Sequence, residues 1–270
     1  MKILRKIYGL LRHHILMKFF AQTIRRNRIL RSPESAPGTE ASRILNKIIK
    51  IRSFDGKYLE IGVENGLTLE AVCLDDKYGV DPNLLVNKII KPRGTKLFLE
   101  YSDIFFDTKI ESKFDIVYLD GLHTFEQTYR DFKNVIQYLH LNSILMVDDT
   151  VPFDEFSSHP VQSESYSLRK KSGKKDNGAW HGDVYKLVRV LAYLKLPNLE
   201  YITLTDLINP KTLIFPKIGC DWPRDLPKID NHIIDSFNYE NSFKPHINMD
   251  FNPNTTADAL SLIADSKIIR

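Results

Sequence analysis

The sequence has 270 residues, of which 43% are hydrophobic and 27% are charged, and its net charge at pH 7 is +4. This balance is typical of a soluble globular protein, and we expect one large domain with extensions. The two cysteines, Cys73 and Cys220, match neither a disulfide framework nor a Cys/His metal site, which predicts a reducing, cytoplasmic location. Basic and aromatic residues are not interleaved over a long stretch, so a nucleic-acid partner is not expected.

The amino-terminal segment is basic, because nine lysine and arginine residues precede the first acidic residue, Glu34. Apolar residues at helical spacing predict an amphipathic helix within residues 1–31: Leu4, Tyr8, Leu11, Ile15 and Phe19. Charged residues interrupt the apolar run, which argues against a signal peptide and a membrane-spanning helix. Two roles stay open: packing on this domain or on a second subunit of a homo-oligomer, and peripheral docking on an anionic membrane. A linker up to residue 38 ends this extension.

From Thr39 onward, strand-like apolar runs alternate with helical periodicity, which predicts an α/β fold with parallel strands and crossover helices. Seven strands are predicted: Lys57–Ile61, Lys77–Val80, Lys96–Glu100, Phe114–Leu119, Ile144–Val147, Tyr201–Thr205 and Thr212–Pro216. The clearest helices run from Phe125 to Leu139 and from Trp180 to Leu194.

Two segments fall outside this alternation. Residues 154–178 form a polar insertion after the fifth strand, where a ligand crevice opens in such sheets, and both a mobile lid and a disordered loop stay open as interpretations. Residues 221–270 form a carboxyl-terminal extension with a short helical pattern near Ala257–Ile269. The core domain is therefore expected over residues 39–220.

A glycine-rich turn follows the first predicted strand, between Glu60 and Thr68. Gly62 and Gly66 stand where the backbone must turn tightly against a ligand before a helix begins. Asp81 ends the second strand, 21 residues beyond Glu60, which suits a carboxylate that accepts hydrogen bonds from the ribose hydroxyls of an adenosine ligand.

Further residues refine the expected ligand. After the third strand, Ser102 and Asp103 are placed to meet the adenine edge. A nicotinamide dinucleotide is an alternative ligand, but its turn should read Gly-x-Gly-x-x-Gly, and here the middle position is Glu64. An acid at that position would repel a pyrophosphate and suits a cationic sulfonium better.

At these residues the sequence resembles the class I S-adenosylmethionine-dependent methyltransferases, whose first motif reads Glu-x-Gly-x-x-x-Gly-x-Ser/Thr. The resemblance covers about residues 55–217 and implies a Rossmann-like seven-stranded sheet with its last strand antiparallel. Segments 114–123, 146–150 and 177–186 are similar to those of small O-methyltransferases that act on sugars and natural products. The resemblance implies S-adenosylmethionine as cofactor, and its binding residues are expected to be Glu60, Gly62, Gly66, Thr68, Asp81, Ser102, Asp103 and Asp120.

Three acids end neighbouring predicted strands: Asp120 follows the fourth strand, and Asp148 and Asp149 follow the fifth. Carboxylates packed this closely repel one another unless a cation lies between them, which favours a divalent ion with oxygen ligands, with Mg²⁺ expected. The resemblance implies the same three residues as metal ligands. The alternative is that these acids contact the ligand directly or cap loops.

The proton acceptor is less well defined by the sequence. The metal-dependent relatives often carry a second acid two residues after the first, and that position here is Leu122. His123 is the nearest replacement and His181 the second candidate, since a histidine can take a proton from a hydroxyl near neutral pH. His123 as a helix cap is the alternative.

Together these features predict an enzyme that methylates a hydroxyl oxygen on a sugar, glycan precursor or related small molecule, with His123, Asp120 and His181 as catalytic residues. Two alternatives stay open: a non-catalytic nucleotide-fold protein recruited to a partner or membrane, and a nicotinamide-dependent oxidoreductase.

Overall fold

A computed structural model of the protein describes residues 38–82, 94–108, 112–175 and 179–265. The predicted amphipathic helix within residues 1–31 lies outside the described residues. Nine helices of the α type occur in the described part: α1 (Glu40–Arg52), α2 (Leu67–Ala71), α3 (Ser102–Asp107), α4 (Phe125–Val135), α5 (Gln162–Lys171), α6 (Tyr185–Leu194), α7 (Asn231–Ser236), α8 (Ile247–Asp250) and α9 (Thr256–Asp265). None of the helices in these ranges has the length and apolar character that a membrane crossing requires.

One mixed sheet forms the centre of the protein. Its strands are β1 (Lys57–Ile61), β2 (Asp76–Val80), β3 (Thr95–Phe98), β4 (Phe114–Leu119), β5 (Leu139–Val147), β6 (Leu199–Leu204), β7 (Lys211–Pro216) and β8 (Pro253–Asn254). They lie in the order β3-β2-β1-β4-β5-β7-β6-β8, and β7 runs antiparallel to both of its neighbours. The predicted α/β, Rossmann-like class is confirmed. The predicted number of seven strands was one too few, because β8 adds two residues parallel to β6 at the edge.

Three local predictions need correction. Strand β5 begins at Leu139 rather than Ile144, since its first half continues the pairing with β4 beyond an irregularity next to Phe114. The helix predicted from Trp180 begins only at Tyr185. Within the polar insertion, residues 162–171 form helix α5, which was missed because its buried positions are Ser165 and Arg169 rather than apolar residues.

Hydrophobic residues fill both faces of the sheet. On one face α4 and α6 bury Phe132, Val135, Leu187 and Leu191. On the other face α1 and α9 bury apolar side chains next to each other, including Leu45, Ile48, Ala259 and Ile263. Because parallel strands buried on both faces end at the same edge, this packing brings the loops after β1, β2, β4 and β5 together.

The carboxyl-terminal segment packs on the same body as the sheet. Trp222 and Phe237 join the core beside α4 and α6. Phe243 and Phe251 pack against Tyr185 and Val188 of α6. The described part of this segment thus contributes to the core, although its sequence carried no functional signal.

Candidate active site

The glycine turn connects β1 to α2 and lies directly against the end of β4. Gly62 and Gly66 have φ angles of 86° and 74°, which side chains rarely adopt. A Cβ atom on Gly62 would overlap with the carbonyl carbon and oxygen of Asp120. The turn therefore needs glycine for two reasons, its left-handed backbone and its close approach to the β4 end.

Asp81 lies beneath this turn. Its Oδ2 atom accepts hydrogen bonds from the backbone N–H groups of Val63 at 2.9 Å and Glu64 at 2.7 Å. The carboxylate is only 8% exposed and holds the turn in shape from the end of β2. Its role as a ribose ligand stays a prediction.

Glu60 is the last residue but one of β1 and is buried. Its Oε2 atom accepts a hydrogen bond from the Tyr58 hydroxyl at 2.6 Å. Burial raises the pKa of Glu60 well above its ordinary value, and the charge of Asp120 adds to the shift. Glu64 shows the same trend, since burial and the charges of Asp120 and Asp81 raise its pKa. A cationic ligand at this turn would relieve this crowding of acids.

The predicted adenine end is formed where α3 meets α4. Ser102 Oγ and Asp103 Oδ1 lie 3.0 and 3.5 Å from the Gln127 side-chain nitrogen. Gln127 also donates to Asp131, whose carboxylate is buried. Thr68 lies at the other side of the turn, where its hydroxyl is 2.8 Å from that of Thr39. Gln127 and Asp131 were missed by the sequence analysis, because both fit an ordinary helix face.

Asp120, His123 and Asp149 form one compact group after β4 and β5. His123 Nδ1 is 2.7 Å from Asp149 Oδ2, and His123 Nε2 is 3.5 Å from Asp120 Oδ1. One ligand atom from each residue lies within 4.8 Å of the others. His123 and Asp149 both have φ angles of 58°, a backbone conformation that is strained for a residue with a side chain.

Asp148 does not join this group. Its Oδ1 atom accepts hydrogen bonds from Lys211 Nζ at 2.6 Å and from Asn209 Nδ2 at 2.9 Å. The Tyr118 hydroxyl donates to its other oxygen. Burial raises the pKa of Asp148, whereas the adjacent Lys211 ammonium favours the ionised form. The two consecutive acids, both predicted as ligands of one metal ion, thus have different charged partners, although the Asn209 side-chain nitrogen lies 2.9 Å from an oxygen of each.

The segment before α6 covers the same group. The Trp180 ring stacks on the His123 ring with their centroids 5.1 Å apart, and the Trp180 carbonyl oxygen is 3.0 Å from His123 Nδ1. A Cβ atom on Gly182 would overlap with the backbone carbonyl of His123, so this position too requires glycine. Asp183 accepts a hydrogen bond from the Phe125 N–H at 2.7 Å and caps α4 from a distant part of the chain. His181 Nε2 lies 3.9 Å from Asp149 Oδ1.

Comparison with known proteins identifies the family of the central segment. The model of a methyltransferase domain family matches residues 59–150, which run from β1 to the end of β5. The resemblance stated from the glycine turn is confirmed over these residues. A search of the curated proteins finds no matching sequence.

Solved structures similar to the methyltransferase domain share little sequence with it. The plantazolicin methyltransferase in complex with a substrate analogue and SAH is 13% identical, with 66% of this chain and 82% of that chain covered and a TM-score of 0.47. An O-methyltransferase from Bacillus cereus in complex with SAH is 10% identical, with 68% and 84% covered and a TM-score of 0.43. An rRNA methylase from Streptococcus thermophilus is 9% identical, with 69% and 97% covered and a TM-score of 0.37. Similarities at this level carry no argument about cofactor or acceptor.

The pKa values of the site residues follow from their close contacts. Burial acts to lower the pKa of His123, but hydrogen bonds with Asp120 and Asp149 outweigh it and raise the pKa to about 11. Burial acts to raise the pKa of Asp149, and the hydrogen bond and charge of His123 outweigh it in the opposite direction. Burial lowers the pKa of His181, so this second ring is neutral at pH 7.

The residues Asp120, His123 and Asp149 are the described group that could hold a divalent cation. Metal–ligand distances of about 2.0–2.6 Å limit the separation of two ligands of one ion to about 5 Å, and one atom each of Asp120, His123 and Asp149 lies within 4.8 Å of the others. Two carboxylates and an imidazole suit Mn²⁺ or another transition metal at least as well as Mg²⁺, because Mg²⁺ prefers oxygen ligands.

Proposed function

We propose that this chain transfers a methyl group from S-adenosylmethionine to a hydroxyl oxygen of a sugar, glycan precursor or related small molecule. The observation that carries the proposal is the contact between the two halves of the site. The glycine turn at Gly62 touches the backbone of Asp120, whose side chain belongs to the group with His123 and Asp149. A methyl donor held at the turn would therefore face the side chains that can prepare an acceptor oxygen.

The cofactor would lie along the edge from β1 to β3. Gly62 and Gly66 leave room for its amino-acid part, and Glu60 and Glu64 supply acidic surroundings that favour a sulfonium. Asp81 is the ribose ligand in this proposal. Thr68, Ser102, Asp103 and Asp120 complete the proposed cofactor-binding residues.

The chain's own residues would contribute mainly by positioning the acceptor. Asp120, His123 and Asp149 would hold a divalent ion, with Asp148 left to its contact with Lys211. Such an ion supplies Lewis acidity that lowers the pKa of a hydroxyl group. Holding the oxygen in line with the methyl group would reduce the entropic cost of reaction.

The acceptor proton has two candidate carriers in the protein. His123 lies within the group itself, but its raised pKa keeps it protonated while both acids contact it, so it must lose that proton before it ligates an ion or accepts the acceptor proton. His181 is neutral and buried, and its Nε2 atom faces Asp149. We propose these two residues as the catalytic histidines, with His181 as the ring already in the form that accepts a proton.

The surroundings of the group support an acceptor with an apolar face. Leu122, between Asp120 and His123, is 63% exposed, and Phe153 is 48% exposed and lies against the ring of His181 at 4.5 Å. The carbon face of a sugar ring presents such a surface. The proposal also includes peripheral membrane contact or homo-oligomer contact through residues 1–31. It further includes a cytoplasmic location.

Calorimetry with S-adenosylhomocysteine tests the cofactor assignment without knowledge of the acceptor. We expect saturable binding by the wild-type protein and at least tenfold weaker binding by Asp81→Asn, because the two ribose hydroxyls lose a charged acceptor. The exposed Asp221→Asn variant is the control and should bind like the wild type. Absence of heat with the wild-type protein would overturn the proposed activity.

A further inference from the structure

We propose that Asn209 and Lys211, which follow β6 and begin β7, are positioning residues for the group of Asp120, His123 and Asp149. Their contacts give two consecutive acids different roles. Lys211 holds Asp148 in place, and Asn209 keeps Asp149 directed towards His123. The inference rests on the proposed divalent-ion site, and it adds two residues that the glycine turn, the acids and the histidines did not predict.

Asn209 contacts both acids with one side-chain nitrogen. Its Nδ2 atom lies 2.9 Å from Asp148 Oδ1 and 2.9 Å from Asp149 Oδ1. An amide nitrogen has two hydrogens, one for each carboxylate, so the side chain can bridge the two acids without a charge of its own. This bridge fixes the distance between carboxylates that would otherwise repel each other.

Lys211 supplies Asp148 with a charged hydrogen-bond donor. The Lys211 ammonium lies 2.6 Å from Asp148 Oδ1, and both side chains are buried. The Tyr118 hydroxyl and the Asp149 backbone N–H also donate to Asp148. With this many donors, Asp148 has little capacity left for a further cation, whereas Asp149 accepts from Asn209 and contacts the histidines.

Asn209 is itself held from two sides. The Glu40 carboxylate, in the first turn of α1, accepts hydrogen bonds from the backbone N–H groups of Ile208 at 3.1 Å and Asn209 at 3.2 Å. Lys211 Nζ donates to the Asn209 carbonyl oxygen at 3.1 Å. The loop between β6 and β7 is therefore fixed to both α1 and the acid pair, which is what a rigid support requires.

The backbone of Asp149 explains why such support is needed. Its φ of 58° places it in the left-handed region, which is unfavourable for an aspartate unless contacts around it compensate. The Asp149 side chain contacts His123 at 2.7 Å, whereas the Asp148 side chain contacts Lys211 at 2.6 Å. The hydrogen bond from Asn209 is one contact that keeps this arrangement.

The test measures Mn²⁺ affinity by electron paramagnetic resonance and S-adenosylhomocysteine affinity by calorimetry on the same protein. Loss of a residue that supports metal ligands typically weakens metal binding 10- to 100-fold. We expect Asn209→Leu to weaken Mn²⁺ binding by at least tenfold while S-adenosylhomocysteine affinity changes less than twofold. Asn142→Leu, in the half of β5 far from the site, is the matched control and should change neither affinity.

The outcomes of this test distinguish the positioning role of Asn209 from the proposed ion site. Equal Mn²⁺ affinity in Asn209→Leu and wild type would overturn the positioning role and leave the proposed function intact. No saturable Mn²⁺ binding by the wild type would overturn the proposed ion site and this inference with it. Should Asn209→Leu fail to fold, Asn209→Ser, which keeps a hydroxyl but cannot span both acids, is expected to show the same selective loss.

Discussion

The cofactor end and the acid end of the site are built in different ways. At the cofactor end, Asp81 holds the turn through the N–H groups of Val63 and Glu64, 18 and 17 residues away in the sequence. At the acid end, Asp149 depends on Asn209, which is 60 residues away, and Asp183 caps α4 from 58 residues away. One half is therefore set by a short motif, and the other is assembled from several separate segments.

This difference predicts which property is lost when each half of the site is mutated. Damage to the turn should remove cofactor binding, and damage to the distant supports should remove function at the acids while the cofactor still binds. The variants below test that separation.

Substitution of Gly62 or Gly182, which lie directly against other backbone segments, should have the largest effects on stability. Gly62→Ala and Gly182→Ala would each place a methyl group against a carbonyl and strain a left-handed backbone, so the free energy of unfolding should fall by about 3 kcal/mol or more. Gly62→Ala should also abolish S-adenosylhomocysteine binding, whereas Gly182→Ala should retain it. Gly173→Ala, with φ of 72° and open space around it, is the control for backbone strain alone. Equal losses in all three variants by urea unfolding would contradict the close contacts.

Removal of the buried lysine should destabilise the acid end next. Lys211→Met leaves Asp148 buried without its cation, and loss of one partner of such a pair costs about 3 kcal/mol. Chemical denaturation at pH 7 measures the change. Lys244→Met removes an exposed pair with Glu240 and should leave the midpoint almost unchanged. A Lys211→Met protein as stable as this control would show that Asp148 does not rely on Lys211.

A smaller effect is expected from the cap that joins the segment before α6 to α4. Asp183→Ala removes the acceptor for the Phe125 N–H and should lower the free energy of unfolding by about 1 kcal/mol. Asp230→Ala, at the start of α7 where no side-chain cap bond forms, is the matched control. A difference of zero between the two variants in thermal unfolding would rule out this cap.

The last prediction concerns the pH dependence of stability at the predicted adenine end. Burial raises the pKa of Asp131 to about 6, above the value of an unfolded aspartate. The folded state thus binds the proton more tightly, and this contribution to stability is lost as the pH rises from about 4 through 6. Relative to wild type, Asp131→Asn should gain roughly 1–2 kcal/mol between pH 4 and pH 8. A stability difference between the two proteins that does not vary with pH would contradict the burial argument.

Much of the fold and part of the site could be predicted from the sequence. Strands β1 and β4 were predicted with their observed bounds, because short apolar runs bounded by charged and turn residues are local signals. The eighth strand and helix α5 could not be predicted this way. Strand β8 has two residues, and α5 is attached through Arg169 to Asp154 and Ala179 rather than by an apolar face.

The contacts within the site could likewise be predicted from the sequence only in part. The sequence places Asp148 and Asp149 side by side and offers no sign that they point to different partners. That division depends on Lys211 and Asn209, which meet the acids only because β7 returns antiparallel beside β5. His123 was a candidate from its position after Asp120, but its place between two acids required the folded chain.

The most direct test of the account is a crystal structure of the protein with S-adenosylhomocysteine and Mn²⁺, read from the anomalous signal of the metal. We predict one peak bounded by Asp120, His123 and Asp149, next to the Gly62 turn and the sulfur of the ligand, with Asp148 still in contact with Lys211. A peak held by Asp148, or no metal peak beside a bound ligand, would contradict it.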